Sequence, residues 1–380
     1  MSAFGESIRH LWELDWRATH LNHGSFGATP KPVLAAQGTI RQEMETAIGN
    51  FFVSQLPKRL REAAAAIAPY LGAHAQDIVF VDNATTGMQA VIGSLRLKPG
   101  DEILINDQTY NAVKNIARYE ATRSGAKIVE VSLPFPIEDN GATILAAFTT
   151  GITSRTRLAI IDHITSATAA IMPIRSMIAA ARSVGAMVLV DGAHAPGQID
   201  LDLTALDADF YTGNFHKWLL APKGAAFLWA RRELQQWLHP PVISHGFGAG
   251  FIAEFDWTGT RDASAYLSVP AALAFRESFG DQVIKSRNRA LAAEAGRYLA
   301  HTWKTRIGSS ASTDVSMCLI ELPFKSAAPS ELRLQLWRDH LIDVPVNALG
   351  DSLWVRISAQ IYNEMDDYRR LAVAIRALSG

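Results

Sequence analysis

Apolar residues along this chain come in short dense runs, each followed by turn residues and then by a helical stretch. IVFV (78–81) leads into DNATTG, and MQAVIGSL then reads as helix, closed by Pro99 and Gly100. EILINDQTY is another strand-like run, followed by the helical AVKNIARYEATRSG. AKIVEVSL, RLAIIDHITS, AMVLVDGAHA and DADFYTGN repeat the theme, with helical pieces such as IRSMIAAARSVG between them. Near-continuous apolar strands alternating with helices predict a parallel sheet covered on both faces. After Gly259 and Thr260 the chain is mostly helical from Ala263 to near Thr302. A strand–helix–strand–helix pattern follows in VSMCLIELP, SELRLQLWRDH, SLWVRIS and MDDYRRLAVAIRAL. The expected fold class is therefore α/β. A large domain is expected over 20–260, and a smaller α/β domain over 261–380, joined by the N-terminal segment 1–19.

In sheets of this kind a ligand sits beyond the carboxyl ends of the strands. Polar residues cluster there: Asn83, Thr85 and Thr86 after IVFV, Asp107 and Tyr110 after EILI, Asp162 and His163 after LAII, and Asp191 and His194 after MVLV.

Composition narrows the function. Of 380 residues, 48% are apolar, enough for a sizeable core. Lys plus Arg number 36 against 37 Asp plus Glu, so no broad field draws in nucleic acid or an anionic membrane. The one cysteine, Cys318, cannot form an intrachain disulfide. MSAFGESIRHLWELDW lacks a basic stretch followed by an apolar run, and no apolar run approaches the about 20 residues that span a bilayer. A cytoplasmic protein is expected. The histidines are scattered without metal-ligand spacing, and no metal is expected.

Three segments carry chemistry. In NFHKWLLAPKGAAFLW, Lys217 lies between a turn and an apolar run. A desolvated lysine loses its proton readily and attacks aldehydes. Taken alone, a surface lysine beside a loop is the commoner reading. Upstream, VLVDGAHAPG puts Asp191 at the end of a buried-looking strand, where a carboxylate needs a partner. A pyridinium nitrogen is suitable, because the carboxylate keeps it protonated and the ring becomes an electron sink. An ordinary turn aspartate is the alternative. The DNATTG turn offers helix N-terminal amides and the Thr85 and Thr86 hydroxyls to an anion, although such residues also serve as plain caps.

DGAHAPG followed by GNFHKWLLAPKGAAFL resembles the class V aminotransferase superfamily of fold-type I pyridoxal-phosphate enzymes. LNHGSFGATP, DNATTG, DHITSATAAIMPI and FDWTGTRD resemble its isopenicillin N epimerase-like branch most. The resemblance runs from about Leu21 to Tyr362. It implies a mostly parallel seven-stranded sheet, pyridoxal 5′-phosphate as cofactor, and a Schiff base on Lys217. Asp191 is then the partner of the pyridine nitrogen, His194 lies near the phenolic oxygen, and Tyr110 stacks on the ring. Ser166 contacts the cofactor near that same oxygen. Thr85, Thr86, His216, the Ala84 backbone and Asn214 surround the phosphate. Thr260 matches a position that reaches the phosphate of a neighbouring subunit, which implies a homodimer with shared sites. Arg356 matches the arginine that clamps the carboxylate of an amino-acid substrate, a task suited to a planar fork. Asn22 and His23 are further expected substrate contacts, and His245 is a candidate for the same pocket.

The first step expected is removal of a Cα proton by Lys217. Epimerisation, β-elimination as in cysteine C–S lysis, and transamination all remain open beyond it, with epimerisation placed first. Epimerisation needs a second acid, or water, across the ring from Lys217, and Tyr110 and His23 are candidates. A desulfurase that carries sulfur on a mobile cysteine is disfavoured, because Cys318 lies in a strand-like segment. A non-catalytic protein of the same fold is disfavoured by the presence of both Lys217 and Asp191. A dinucleotide-binding oxidoreductase is disfavoured by the lack of GxGxxG after the early strands.

Overall fold

The computed structural model describes residues 4–137, 141–309, 314–324 and 328–378. Among these residues twelve strands form three sheets. In chain order they are β1 (Thr19–His20), β2 (Ile78–Val81), β3 (Glu102–Asn106), β4 (Lys127–Val131), β5 (Thr156–Asp162), β6 (Met187–Asp191), β7 (Phe210–Asn214), β8 (Ala226–Ala230), β9 (Met317–Glu321), β10 (Ile342–Asp343), β11 (Val346–Leu349) and β12 (Ser352–Ser358).

The seven-stranded sheet has the order β2-β8-β7-β6-β5-β3-β4. β8 runs antiparallel to both neighbours, and the other pairs are parallel. This is the mostly parallel sheet that the apolar runs predicted. Alternation along each strand divides the side chains between two cores. Ile78, Phe80, Ala159, Ile161, Val188 and Val190 enter one, with the helices Leu56–Leu71 and Ile174–Arg182. Val79, Val81, Leu158, Ile160 and Leu189 enter the other, with the helices Ala84–Ser94 and Asn111–Ser124. Both faces are thus covered, and the buried strand positions are mostly apolar, with polar residues chiefly at strand ends. The edge strand β4 is the exception: Lys127 and Glu130 keep it polar and exposed.

A third core surrounds β9, β11 and β12, all antiparallel. Leu291 and Leu299 from the helix Asp281–Trp303, and Leu371 and Ile375 from the helix Met365–Leu378, pack on Ile320, Val355 and Ile357. The strand–helix–strand–helix expectation missed β11. It pairs with β12 across the two-residue turn Gly350–Asp351, with Gly350 at φ 57°. Val355 and Ile357 point into this core, so Arg356 projects from the opposite face, toward the large sheet. The first described residues are bound here too. β1 pairs with β10, the Gly5 amide donates to Ile361 O (2.7 Å), and Arg9 meets Asp367 (3.1 Å). No helix among the described residues is long and apolar enough to cross a membrane.

Candidate active site

The carboxyl ends of β2, β3, β5, β6 and β7 all lie at one edge of the sheet, and the turns that follow them enclose an inner cavity of about 180 Å³. Asn83, Ala84 and Thr85 line it after β2, Tyr110 after β3, Ser166 after β5, Asp191 and His194 after β6, and Asn214, His216 and Lys217 after β7. An outer cavity of about 430 Å³ adjoins it and contains Arg356, Gln108, Asn111 and Asn347. Ser25, Tyr110 and Ser166 line both.

Lys217 lies just beyond β7, and burial is the main reason its ammonium pKa falls to about 7. The nearby Arg356 charge works in the same direction, while Asp191 opposes it. Lys217 Nζ is 3.2 Å from His194 Nε2. On the other side of that ring, Trp218 Nε1 donates to His194 Nδ1 at 3.4 Å. An indole nitrogen can only donate, so Nδ1 accepts and the imidazole proton sits on Nε2. Burial holds His194 neutral, its pKa well below the usual range. The Nε2–H therefore faces the Lys217 amine. Asp191 ends β6 and is buried, with Oδ1 accepting the Ala193 amide at 2.9 Å. Burial raises its pKa, and the Ala193 amide and Lys217 lower it.

At the far end of the cavity the helix Ala84–Ser94 begins. The Asn83 side chain accepts the Thr86 amide (2.9 Å), and Asn214 Oδ1 accepts the Ala84 amide (2.8 Å). The amide and hydroxyl of Thr85, between them, have no acceptor among the described residues. That leaves an oriented donor pair at a helix N-terminus, the arrangement that binds phosphate. Thr86 uses its hydroxyl on Asn83 and is not among the lining residues. His216 lines the cavity with Nδ1 3.1 Å from Ala225 O, and burial lowers its pKa to about 4. Gly87 is required for the helix to sit this close, since a Cβ there would lie 2.3 Å from Thr212 Oγ1.

Arg356 is only 4% exposed and has no ion-pair partner among the described residues. Nη1 donates to the Ser166 carbonyl, Nη2 donates to Ser25 Oγ (3.1 Å), and Nε is buried with no acceptor. A buried guanidinium without a counter-charge is costly, and burial lowers its pKa to about 10.

Not every expected residue reaches the cavities. His23 has Nδ1 2.9 Å from Tyr362 Oη and Nε2 3.1 Å from Lys217 O, so it contacts the lysine's backbone rather than a substrate. Burial lowers its pKa to about 3, which also removes it as a proton donor. Asn22 acts one step back: Ser25 Oγ donates to its Oδ1, and its amide donates to Asp343 (3.1 Å). Thr260 is exposed and lines neither cavity of its own chain, and neither does His245. The cavity is also lined by Ser25, Phe26, Ile164 and Ala193, which the sequence did not single out, and by Asp162, which it placed at a strand end without a role. Asp162 had the right signal, a carboxylate closing an apolar strand, but Asp191 carries the same signal and the more specific motif. Among the described residues no cluster of three His, Cys, Asp or Glu side chains could hold a metal.

A lysine amine of lowered pKa, a buried carboxylate and the donors of a helix N-terminus thus line one cavity. The family model for aminotransferase class V matches residues 28–371, and the chain belongs to that family, whose enzymes depend on pyridoxal phosphate. It is 35% identical to the L-cysteine desulfhydrase of Arabidopsis thaliana over 94% of this chain and 87% of that protein. It is 33% identical to the isopenicillin N epimerase of Amycolatopsis lactamdurans over 98% of each. Its fold matches the cysteine desulfurase CsdA of Escherichia coli with a TM-score of 0.80, at 24% identity over 100% of this chain and 99% of that one. The donor set fits the cofactor on structural grounds. The Thr85 donors suit an anion, the Asp191 carboxylate can take a ring nitrogen, and the lowered pKa of Lys217 suits its amine to an aldehyde.

Proposed function

We propose that the chain removes the Cα proton of an amino-acid substrate, and that its overall reaction is an epimerisation like that of the isopenicillin N epimerase it resembles. The observation that carries this reading is the buried, unpaired guanidinium of Arg356, one cavity away from Lys217. A substrate carboxylate supplies the missing counter-charge through a two-point contact. When bound, pyridoxal phosphate supplies the electron sink that makes a Cα proton removable.

The chain's own residues do the rest. Lys217 Nζ would hold the cofactor and, freed, take the Cα proton, with burial lowering its pKa to favour the free amine. Asp191 would be the partner of the ring nitrogen, and His194 Nε2–H would donate to a cofactor oxygen. The Thr85 amide and hydroxyl would bind the phosphate, with His216 and Asn214 around it. Tyr110, shared by both cavities, would stack on the ring and offer a hydroxyl for returning a proton. The Gln108, Asn111 and Asn347 side chains of the outer cavity suit a polar substrate side chain.

A second reading is C–S β-elimination, favoured by the similarity to L-cysteine desulfhydrases. It needs Lys217 but no second proton donor. A sulfur-carrying desulfurase is disfavoured, since Cys318 is buried within β9 and lines neither cavity. The chain acts as a homodimer in this reading, with Thr260 reaching the partner's cavity.

The test incubates the protein with a panel of amino acids in deuterated water. Cα deuterium with loss of optical purity supports epimerisation, whereas pyruvate and sulfide from cysteine replace it with elimination. Lys217→Ala must abolish the visible absorbance of the loaded protein. A wild-type protein that takes up no pyridoxal phosphate sinks both readings.

A further inference from the structure

The inner cavity holds a carboxyl that the proposed chemistry leaves unused. Asp162 closes β5 as Asp191 closes β6, and the two are register partners in adjacent parallel strands. Leu158, Ile160 and Leu189 enter the same core, so Asp162 and Asp191, each two residues further along its strand, share one sheet face. Asp162 is 2% exposed, lines the cavity, and its Oδ2 is fully buried without a hydrogen-bond partner. The next residue turns away: His163 Nδ1 lies 2.8 Å from Tyr211 Oη, beneath the sheet edge.

Two adjacent buried carboxyls cannot both be ionised cheaply. The surroundings decide which one carries the charge. Asp191 accepts the Ala193 amide and faces Lys217, and both favour its anion. For Asp162, burial and the Asp191 charge outweigh the help of Thr109 and Tyr110 and push its pKa well up.

We propose that Asp162 is a second cofactor-facing carboxyl, held as a neutral acid, that positions Asp191 as the charged partner of the cofactor's ring. Its proton leaves Asp162 able to donate a hydrogen bond into the cavity, where a second carboxylate would repel Asp191. It is a positioning residue. It also lies beside the Thr109–Tyr110 turn, both residues of which act to lower its pKa. The inference rests on the placing of pyridoxal phosphate in the inner cavity.

The experiment uses the loaded protein and two variants. Asp162→Asn keeps size and a donor, whereas Asp162→Ala removes both. Infrared difference spectra at neutral pH should show the stretch of a protonated carboxylic acid in wild type and none in Asp162→Asn. Pyridoxal phosphate release, followed by its absorbance, should be near wild type in Asp162→Asn and about tenfold faster in Asp162→Ala. Persistence of the acid band in Asp162→Asn would overturn the proposal. So would Asp162→Asn releasing cofactor as fast as Asp162→Ala, or both variants releasing it as slowly as wild type. If Asp162→Ala does not fold, the band and the Asp162→Asn release rate decide the matter. Wild-type loading, lost in Lys217→Ala, is scored separately, so a failure to place the cofactor is not confused with a failure of Asp162.

Discussion

A lysine attacks a carbonyl or accepts a Cα proton only after giving up its own. Around Lys217 this is arranged by withdrawing water and by setting the buried Arg356 charge nearby, and the ammonium pKa falls to about 7. The sign of the pH dependence follows. Below about 7 the amine of the apoprotein is protonated and cannot capture the cofactor aldehyde; above it the lone pair is free. The rate of pyridoxal phosphate capture by the apoprotein should rise about tenfold per pH unit below 7 and flatten above it. Stopped-flow absorbance measures this, and a rise that continued toward pH 10 would mean an ordinary solvated lysine. Lys217, Asp191 and the Thr85 turn were legible because each is a polar group at the end of an apolar run. His23 was not. Its partner is a backbone carbonyl 194 positions away, a contact that local pattern does not encode.

Between residues and the whole chain stand the elements that hold Arg356. It projects from β12, which belongs to the small sheet, yet its fork is held by Ser166 after β5 and by Ser25 of the N-terminal segment. Ser25 is fixed by Asn22, and Asn22 by Asp343 at the end of β10. Asn22→Ala removes one relay without touching either cavity wall. The expected result is a KM for the amino acid raised about fivefold with kcat little changed, the worth of roughly one hydrogen bond. Steady-state kinetics would show it, and an equal fall in kcat would instead place Asn22 in the chemistry. A second clamp lies beneath the site. Arg276, fully buried in the helix Val269–Phe279, donates to Trp218 O (2.6 Å) and Gly197 O (3.0 Å) and pairs with Asp281. It thereby joins the turn bearing Lys217 to the turn bearing His194. Arg276→Ala strands both carbonyls and should cost about 3 kcal/mol in urea unfolding. The strands of the large sheet were legible from their apolar runs, and Arg356 from its strand. Neither clamp was, because both join segments that meet only in the folded chain.

At the scale of the molecule Thr260 stands apart from both cavities. Within one chain it is exposed and lines neither cavity, while Phe26 at the inner cavity stands 63% exposed. The loop preceding Thr260 carries Val242, Ile243 and Phe247, each more than half exposed. Apolar side chains gathered in one exposed loop favour a covering surface, and the near-neutral chain, with 36 basic and 37 acidic residues, offers little long-range repulsion to a second copy. If Thr260 serves the partner's phosphate, complementation must follow. Lys217→Ala homodimers hold no Schiff base, and Thr260→Ala homodimers should release cofactor about tenfold faster than wild type. In a mixed dimer one cavity lacks both groups, but the other has its own Lys217 and the intact Thr260 of the Lys217→Ala chain. Refolding the two variants together should therefore restore wild-type retention at one site per mixed dimer, read as a slow phase in cofactor release. The same slow phase in Thr260→Ala alone, or its absence from the mixture, would mean that each chain completes its own site.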